Sequence, residues 1–431
     1  MTDENDGTLR AVVWSDLCPW LILFRSFRIA IDFRVLLLSA AAAVVTATGW
    51  TLIPAIFSGD PVIGEQIAAE TKCPWLRLSR LVPDTPGGEV ASSFSPSLLE
   101  RSSTTLGPAE PWFGTWEQLG GPFRRMFSFD GNATAGPGGD SQAGSGVSWF
   151  VCLLLCGLWG LATWAFFAAA VTRCAAVQLA CEERIGLGEM LRWAASRWRA
   201  YFAAPLLPLL GVFFCTLPIA IVGLFLWFDF SILVAAVFWP LALLGGLCMA
   251  WLLFGLLFGW PLMFAAISAE GTDSFDAVSR SYEYLLRHPL RYLFYVAVAT
   301  FVGMLGWLLV SNFAAAAVAL TYWAASWGGS AERVGLVING SEELGILGSF
   351  GVSLIHFWCE CLKLLAVGFL YSFFWTSSTA VYLLLRRDED AKEMDDVYLE
   401  DEEEQQPQGL PPLETDEAGA LGATDDAPTD P

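Results

Sequence analysis

The chain reads as an all-α protein, a polytopic integral membrane bundle of six spans built from three repeats of amphipathic helix plus helical hairpin. Three observations predict this class. Of 431 residues, 55% are hydrophobic and 14% aromatic, more than a soluble globular domain normally carries. The apolar residues are also bunched: no Asp, Glu, Lys, Arg or His occurs in Val35–Ser58, Ala200–Phe228, Phe230–Ala269, Tyr292–Ala331 or Leu364–Leu385. Roughly 20 apolar helical residues cross a hydrocarbon layer about 30 Å thick, so each run supports a crossing, and Val147–Thr172 supplies the sixth. Finally, a basic, aromatic block introduces every second span.

The first such block, "WSDLCPWLILFRSFRIAIDFR" at 14–34, carries Arg25, Arg28 and Arg34 before the first span. Aromatic and aliphatic residues mixed with arginine are the pattern of a helix lying in the membrane interface. "GLGEMLRWAASRWRAYF", with Arg192, Arg197 and Arg199, precedes the third span, and "SFDAVSRSYEYLLRHPLRYLF", with Arg280, Arg287 and Arg291, precedes the fifth. Arg25-Ser26-Phe27 matches Arg280-Ser281-Tyr282. After each hairpin the chain returns through an aromatic and small-residue stretch: "WAFFAAAVT" from Trp164, "WPLMFAAIS" from Trp260 and "FWTSSTAVY" from Phe374. The spacing divides the chain into an N-terminal unit within 1–172, a second at 185–268 and a third at 273–385. His288-Pro289 marks the turn of the third basic helix into its span, because proline disfavours a helical residue before it.

Segments rich in Lys and Arg stay on the cytoplasmic side. The three basic blocks and Arg386-Arg387 fall on one face if the spans alternate, which puts both termini in the cytoplasm of a multi-pass cell-membrane protein. Basic helices there are expected to hold anionic headgroups, with Arg25, Arg28, Arg192, Arg199, Arg280, Arg287 and Arg291 facing lipid.

The formal net charge of −21 is mostly local. Residues 388–431 hold seventeen acidic side chains and one base, Lys392, which gives −16. This segment has no apolar period and several prolines, so it reads as a disordered, solvated acidic tail with the bilayer domain able to fold without residues 390–431. A basic soluble partner is the other use such a tail could have. The loop at 58–146 is Ser, Pro and Gly rich around "PWFGTWEQLGGPFRRMFSF", whose Trp112, Phe113, Trp116, Phe123 and Phe127 suit an interfacial re-entrant or surface helix. Among ten cysteines only Cys73 falls in that loop, and most of the others sit in apolar helices as small hydrophobes rather than in a disulfide framework.

No phosphate-binding loop, dinucleotide fingerprint, zinc-protease motif or nucleophile elbow occurs, so neither catalytic residues, nor cofactor, nor metal, nor nucleic acid is expected. One polar constellation stands out. "HFWCECLK" places His356, Glu360 and Lys363 on one helical face. Ionisable groups at membrane depth suggest proton or ion relays, but Leu364–Leu385 is long enough to span alone, which leaves this cluster at the outer interface, where a Glu–Lys pair is inexpensive. Gly255 and Gly259 form a GxxxG suited to close helix packing within the chain. Asp229 reads as an outer loop residue between two spans.

The pattern "DAVSRSYEYLLRHPLRYLFY" and the repeated hairpins over about 185–385 resemble a loose group of bacterial polytopic membrane proteins. These in turn resemble the membrane domain that accompanies some glycerophosphodiester phosphodiesterases. No phosphodiesterase domain is present in this chain, so the resemblance implies a helical membrane protein and carries over no enzymatic residue. The reading that follows is a non-enzymatic scaffold or accessory membrane component, with a transporter or channel for a small solute as the alternative.

Overall fold

The computed structural model describes residues 18–57, 110–127, 145–227, 229–339, 345–390 and 397–398. Most of the 58–146 loop and the acidic segment beyond Tyr398 lie outside them. Among the described residues there is no strand, and all the helices belong to one compact unit ending at Val397.

Ten α-helices follow in order among the described residues. The first unit comprises α1 (Ile22–Ala30), α2 (Phe33–Ile56), α3 (Thr115–Phe127) and α4 (Ser145–Ala180). The second comprises α5 (Leu187–Leu224) and α6 (Asp229–Glu270). The third comprises α7 (Ser274–Arg287), α8 (Pro289–Gly328), the short α9 (Ala331–Asn339) and α10 (Ile346–Asp390). Six of these, α2, α4, α5, α6, α8 and α10, are long and apolar enough to cross a membrane. The protein is a multi-pass, all-α membrane bundle.

Local chemistry sets the helix ends. Asp32 caps α2, its carboxylate accepting from the Arg34 amide at 3.1 Å, and so satisfies one of the donors a helix start leaves open. Gly271 ends α6 at φ 65, the left-handed conformation glycine reaches without a Cβ penalty. His288 leaves helical geometry at φ −128, ψ 57 and Pro289 occupies the first position of α8, as expected from its fixed φ and missing N–H. The second basic block has no such break and runs on into its span as one helix, α5, despite Pro205, Pro208 and Pro218.

The returning helices α4, α6 and α10 pack on one another pairwise and form the centre. Trp164, Trp260, Phe374 and Trp375 meet there, with ring centroids 6.0 Å apart for Trp164–Trp375, 5.4 Å for Trp260–Trp375 and 5.5 Å for Trp260–Phe374. Below the aromatics, Ala165, Ala168, Ala169, Ala265, Ala266, Ser377 and Ala380 are fully buried; small side chains let helices approach closely where no water drives them together. The hydroxyls in this layer donate to their own helix, as Thr376 does to the Ser372 carbonyl (2.9 Å), Ser378 to Phe374 (2.7 Å) and Thr379 to Trp375 (2.9 Å), which makes them tolerable away from water.

Each basic helix packs on the return helix of the preceding unit: α7 on α6, the start of α5 on α4, and α1 on α10, which closes the ring. Phe27 lies against Phe369 at 5.7 Å. Tyr282, its counterpart in the third unit, lies against Gly255, the position matching Phe369 when the return segments are aligned on Trp260 and Phe374. The GxxxG therefore serves packing within the chain. A Cβ at Gly255 would come 2.0 Å from the Tyr282 ring, while Gly259 faces Ser281.

Candidate functional site

Where the three return helices end, their first charged residues are Arg173, Glu270 and Arg386. All three are drawn into the bundle. Glu270, with a side chain 7% exposed, accepts from the Tyr382 hydroxyl at 2.9 Å and lies 2.5 Å from Arg280 and 3.4 Å from Arg386, itself 3% exposed. A carboxylate removed from water and set between two guanidinium groups is stable only while both partners stay. Arg173 donates to the Ser268 carbonyl at 2.9 Å and stacks its guanidinium 4.0 Å over Trp193, with Arg197 4.5 Å from the same ring. Ser268 also joins Thr172 (2.6 Å) and Tyr201 (2.7 Å), and the Trp193 indole donates to the Tyr201 oxygen at 3.0 Å. Sequence reasoning missed this layer. Its signal was that each residue is the first charge after a long apolar run.

The predicted lipid-facing arginines separate into two groups. Arg28, Arg192 and Arg199 are exposed. Arg25 is exposed and pairs with exposed Glu182 at 2.9 Å. In the third unit each of the three predicted arginines has a carboxylate: Arg280 has Glu270 and Asp276, Arg287 has Glu283 and Glu389, and Arg291 has Asp388 at 3.4 Å. His288 contacts Glu389 at 2.7 Å, and Tyr284 and Tyr295 donate to Asp390 and Asp388 at 2.7 and 2.8 Å. The acidic residues 388–390 belong to the last turn of α10 and fasten it to α7 and α8, so the sequence boundary at 388 lies inside the helix. Val397 is buried as well. Burial raises the Tyr284 phenol, with Asp390 adding to the effect, and pushes Tyr282 up to about 12.

His356, Glu360 and Lys363 all lie on α10, which continues as one helix on both sides of them. Lys363 donates to Glu360 at 2.6 Å; the lysine side chain is 9% exposed and the glutamate 47%. His356 is half-buried, and no hydrogen bond or ion pair among the described residues joins it to the pair. Lys363 lies about 35 Å from Arg386 along the helix axis, longer than the roughly 30 Å hydrocarbon layer.

The aromatic part of the first loop enters the bundle. Trp112 is buried 5.0 Å from Phe374, the Trp116 indole donates to the Leu257 carbonyl at 3.1 Å, and Tyr371 donates to Gln118 at 3.0 Å. Phe123 covers Gly157. Phe113 stays exposed, and the Phe127 side chain lies outside the described set. Beneath α3, a cavity of about 500 Å³ opens between α3, α4, α5 and α6. Its walls include Trp116, Phe123, Trp164, Leu209, Leu253 and Trp260, with Glu117 the acidic member. No protein-family model, curated protein or solved structure matches this chain.

Proposed function

We propose that the protein is a non-enzymatic scaffold or accessory component of the cell membrane, with both termini cytoplasmic, that gathers anionic lipid on its inner face. The observation that carries this reading is the exposure of Arg28, Arg192 and Arg199, for which no carboxylate partner occurs among the described residues. Arg25 joins them, because an exposed ion pair such as Arg25–Glu182 is weak and a lipid phosphate competes with it easily. The arginines of the third unit contribute less, since internal carboxylates already occupy them. Each arginine near an anionic surface contributes about 1 kcal/mol, so changing Arg28, Arg192 and Arg199 together to Gln should weaken anionic-lipid retention roughly 100-fold. The measurement is lipid co-purified from vesicles of mixed headgroup composition. Unchanged retention by a folded triple variant would remove the basis of the reading.

One observation favours the transporter reading: Lys363, a packed cation in a long apolar helix beside Glu360. Proton-dependent solute flux in proteoliposomes that disappears in Glu360→Gln would promote it over the scaffold.

A further inference from the structure

We propose that α3 depends on the bilayer for its seat: a phospholipid acyl chain, taken without regard to its headgroup, fills the cavity beneath α3 and serves as the packing partner of that helix. The apolar lining from α3 is Trp116, Leu119, Gly120 and Phe123, the i, i+3, i+4 and i+7 positions of one helical face. An amphipathic helix normally buries that face against side chains. Here its middle meets space, since a Cβ added at Gly120 would find nothing within 4 Å. What ties α3 to the bundle lies to either side of the gap. Pro261 has no N–H to offer the Leu257 carbonyl, and the Trp116 indole supplies that bond at 3.1 Å; Gln118 accepts from Tyr371, and Phe123 covers Gly157. Side chains that border a void forfeit dispersion contacts, so the seat is complete only when the cavity is occupied.

The opening identifies the occupant. Ala250, Phe254 and Leu257 line the cavity from α6 and are exposed, and Leu247, Trp251 and Phe258 beside them are exposed apolar side chains as well. All six lie inside the charge-free run Phe230–Ala269, so the mouth faces hydrocarbon, where lipid chains are the medium. The lining on α6 extends from Ala250 to Phe264, about 21 Å along the helix, enough for an extended acyl chain. Walls of Trp, Phe and Leu offer water few of the partners it needs. No headgroup is selected, because Glu117, the acidic side chain of the lining, already interacts within the protein. This site is separate from the arginine face, which gathers anionic headgroups at the inner surface.

The test uses the full-length protein in vesicles of phosphatidylcholine, part of it carrying a photoactivatable diazirine on its acyl chain. Residues 160–164 of α4 form the wall opposite α3, where Gly160 and Trp164 are buried, so lipid of the general annulus does not reach them. The wild type should be labelled there, and Gly120→Phe on α3 and Ala250→Phe on α6, which fill the space from different walls, should each lower that label about tenfold. The seat of α3 is read by hydrogen exchange after delipidation into a fluorinated surfactant, whose chains mix poorly with hydrocarbon. Its amides should exchange about tenfold faster than in vesicles, recover with added dipalmitoyl phosphatidylcholine but not with the dihexanoyl lipid, and stay protected without lipid in Gly120→Phe. Because the probe is zwitterionic, the Arg28/Arg192/Arg199 variant should be labelled like the wild type, so this site and the arginine face can fail independently. No label at 160–164 in the wild type overturns the proposal. So does an undiminished label in either folded Phe variant, or exchange of α3 that is indifferent to lipid.

Discussion

Glu270 carries the clearest energetic consequence of the charged layer where the return helices end. With Arg280 and the buried Arg386 both paired to it, Glu270→Gln removes a carboxylate that two guanidinium groups share and should cost about 3–5 kcal/mol. Pairing it with Arg386→Met should recover part of that loss, read as a coupling in a double-mutant cycle of thermal unfolding in detergent. The Glu360–Lys363 pair is asymmetric, and its two halves should respond differently. Lys363→Gln removes the packed charge and leaves a half-exposed carboxylate, so a loss under about 1 kcal/mol is expected. Glu360→Gln strands the packed ammonium and should cost about 1–3 kcal/mol. Equal effects in the two variants would contradict the burial difference of 9% against 47%. The spacing of His356, Glu360 and Lys363 was legible because residues three and four apart share a helical face. The partners of Glu270 were not, since Arg386 arrives from the far end of the chain.

The basic helices show what periodicity reveals about an element and where it stops. Alternation of arginine with aromatic residues marks α1, the start of α5 and α7 as amphipathic, but the burying surface is a face of another helix, small-residue in one case and aromatic in another. For α7 it is the small-residue groove of Gly255 and Gly259 on α6. Gly255→Leu places new carbon where the Tyr282 ring lies and should cost about 1–3 kcal/mol, whereas Gly246→Leu, with open space around it, should be nearly neutral. Tyr282 reports the displacement directly. Burial holds its phenol at about 12, so undocking α7 should bring its absorbance titration down toward the ordinary value near 10. An unmoved titration in Gly255→Leu would show that α7 does not rest on that groove.

For the whole molecule, the six spans and the order of basic helix and hairpin follow from charge-free runs and the arginines before them, because a bilayer imposes length and polarity directly on sequence. The end of the folded unit does not follow so simply. Sequence composition puts the tail boundary at 388, but Asp388, Glu389 and Asp390 bind α7 and α8, and Val397 is buried. Truncation after Tyr398 should therefore leave the melting transition within about 0.5 kcal/mol. Truncation after Arg387 removes the carboxylates and Val397 and should cost roughly 2 kcal/mol; equal stability of the two truncations would return the boundary to 388. The loop aromatics were recognisable as membrane-seeking, yet their seat against Phe374, Leu257 and Tyr371 depends on residues more than a hundred positions away. By itself the sequence determined the all-α class, the spans and the basic amphipathic helices, since each is a local match between side-chain polarity and the thickness of a bilayer. The tertiary structure alone decided that the three return helices form the centre, that α1 closes the ring on α10, which arginines keep internal partners, and that α3 roofs a cavity. Those outcomes depend on which distant surfaces fit together, and helices of such similar composition carry little local record of their neighbours.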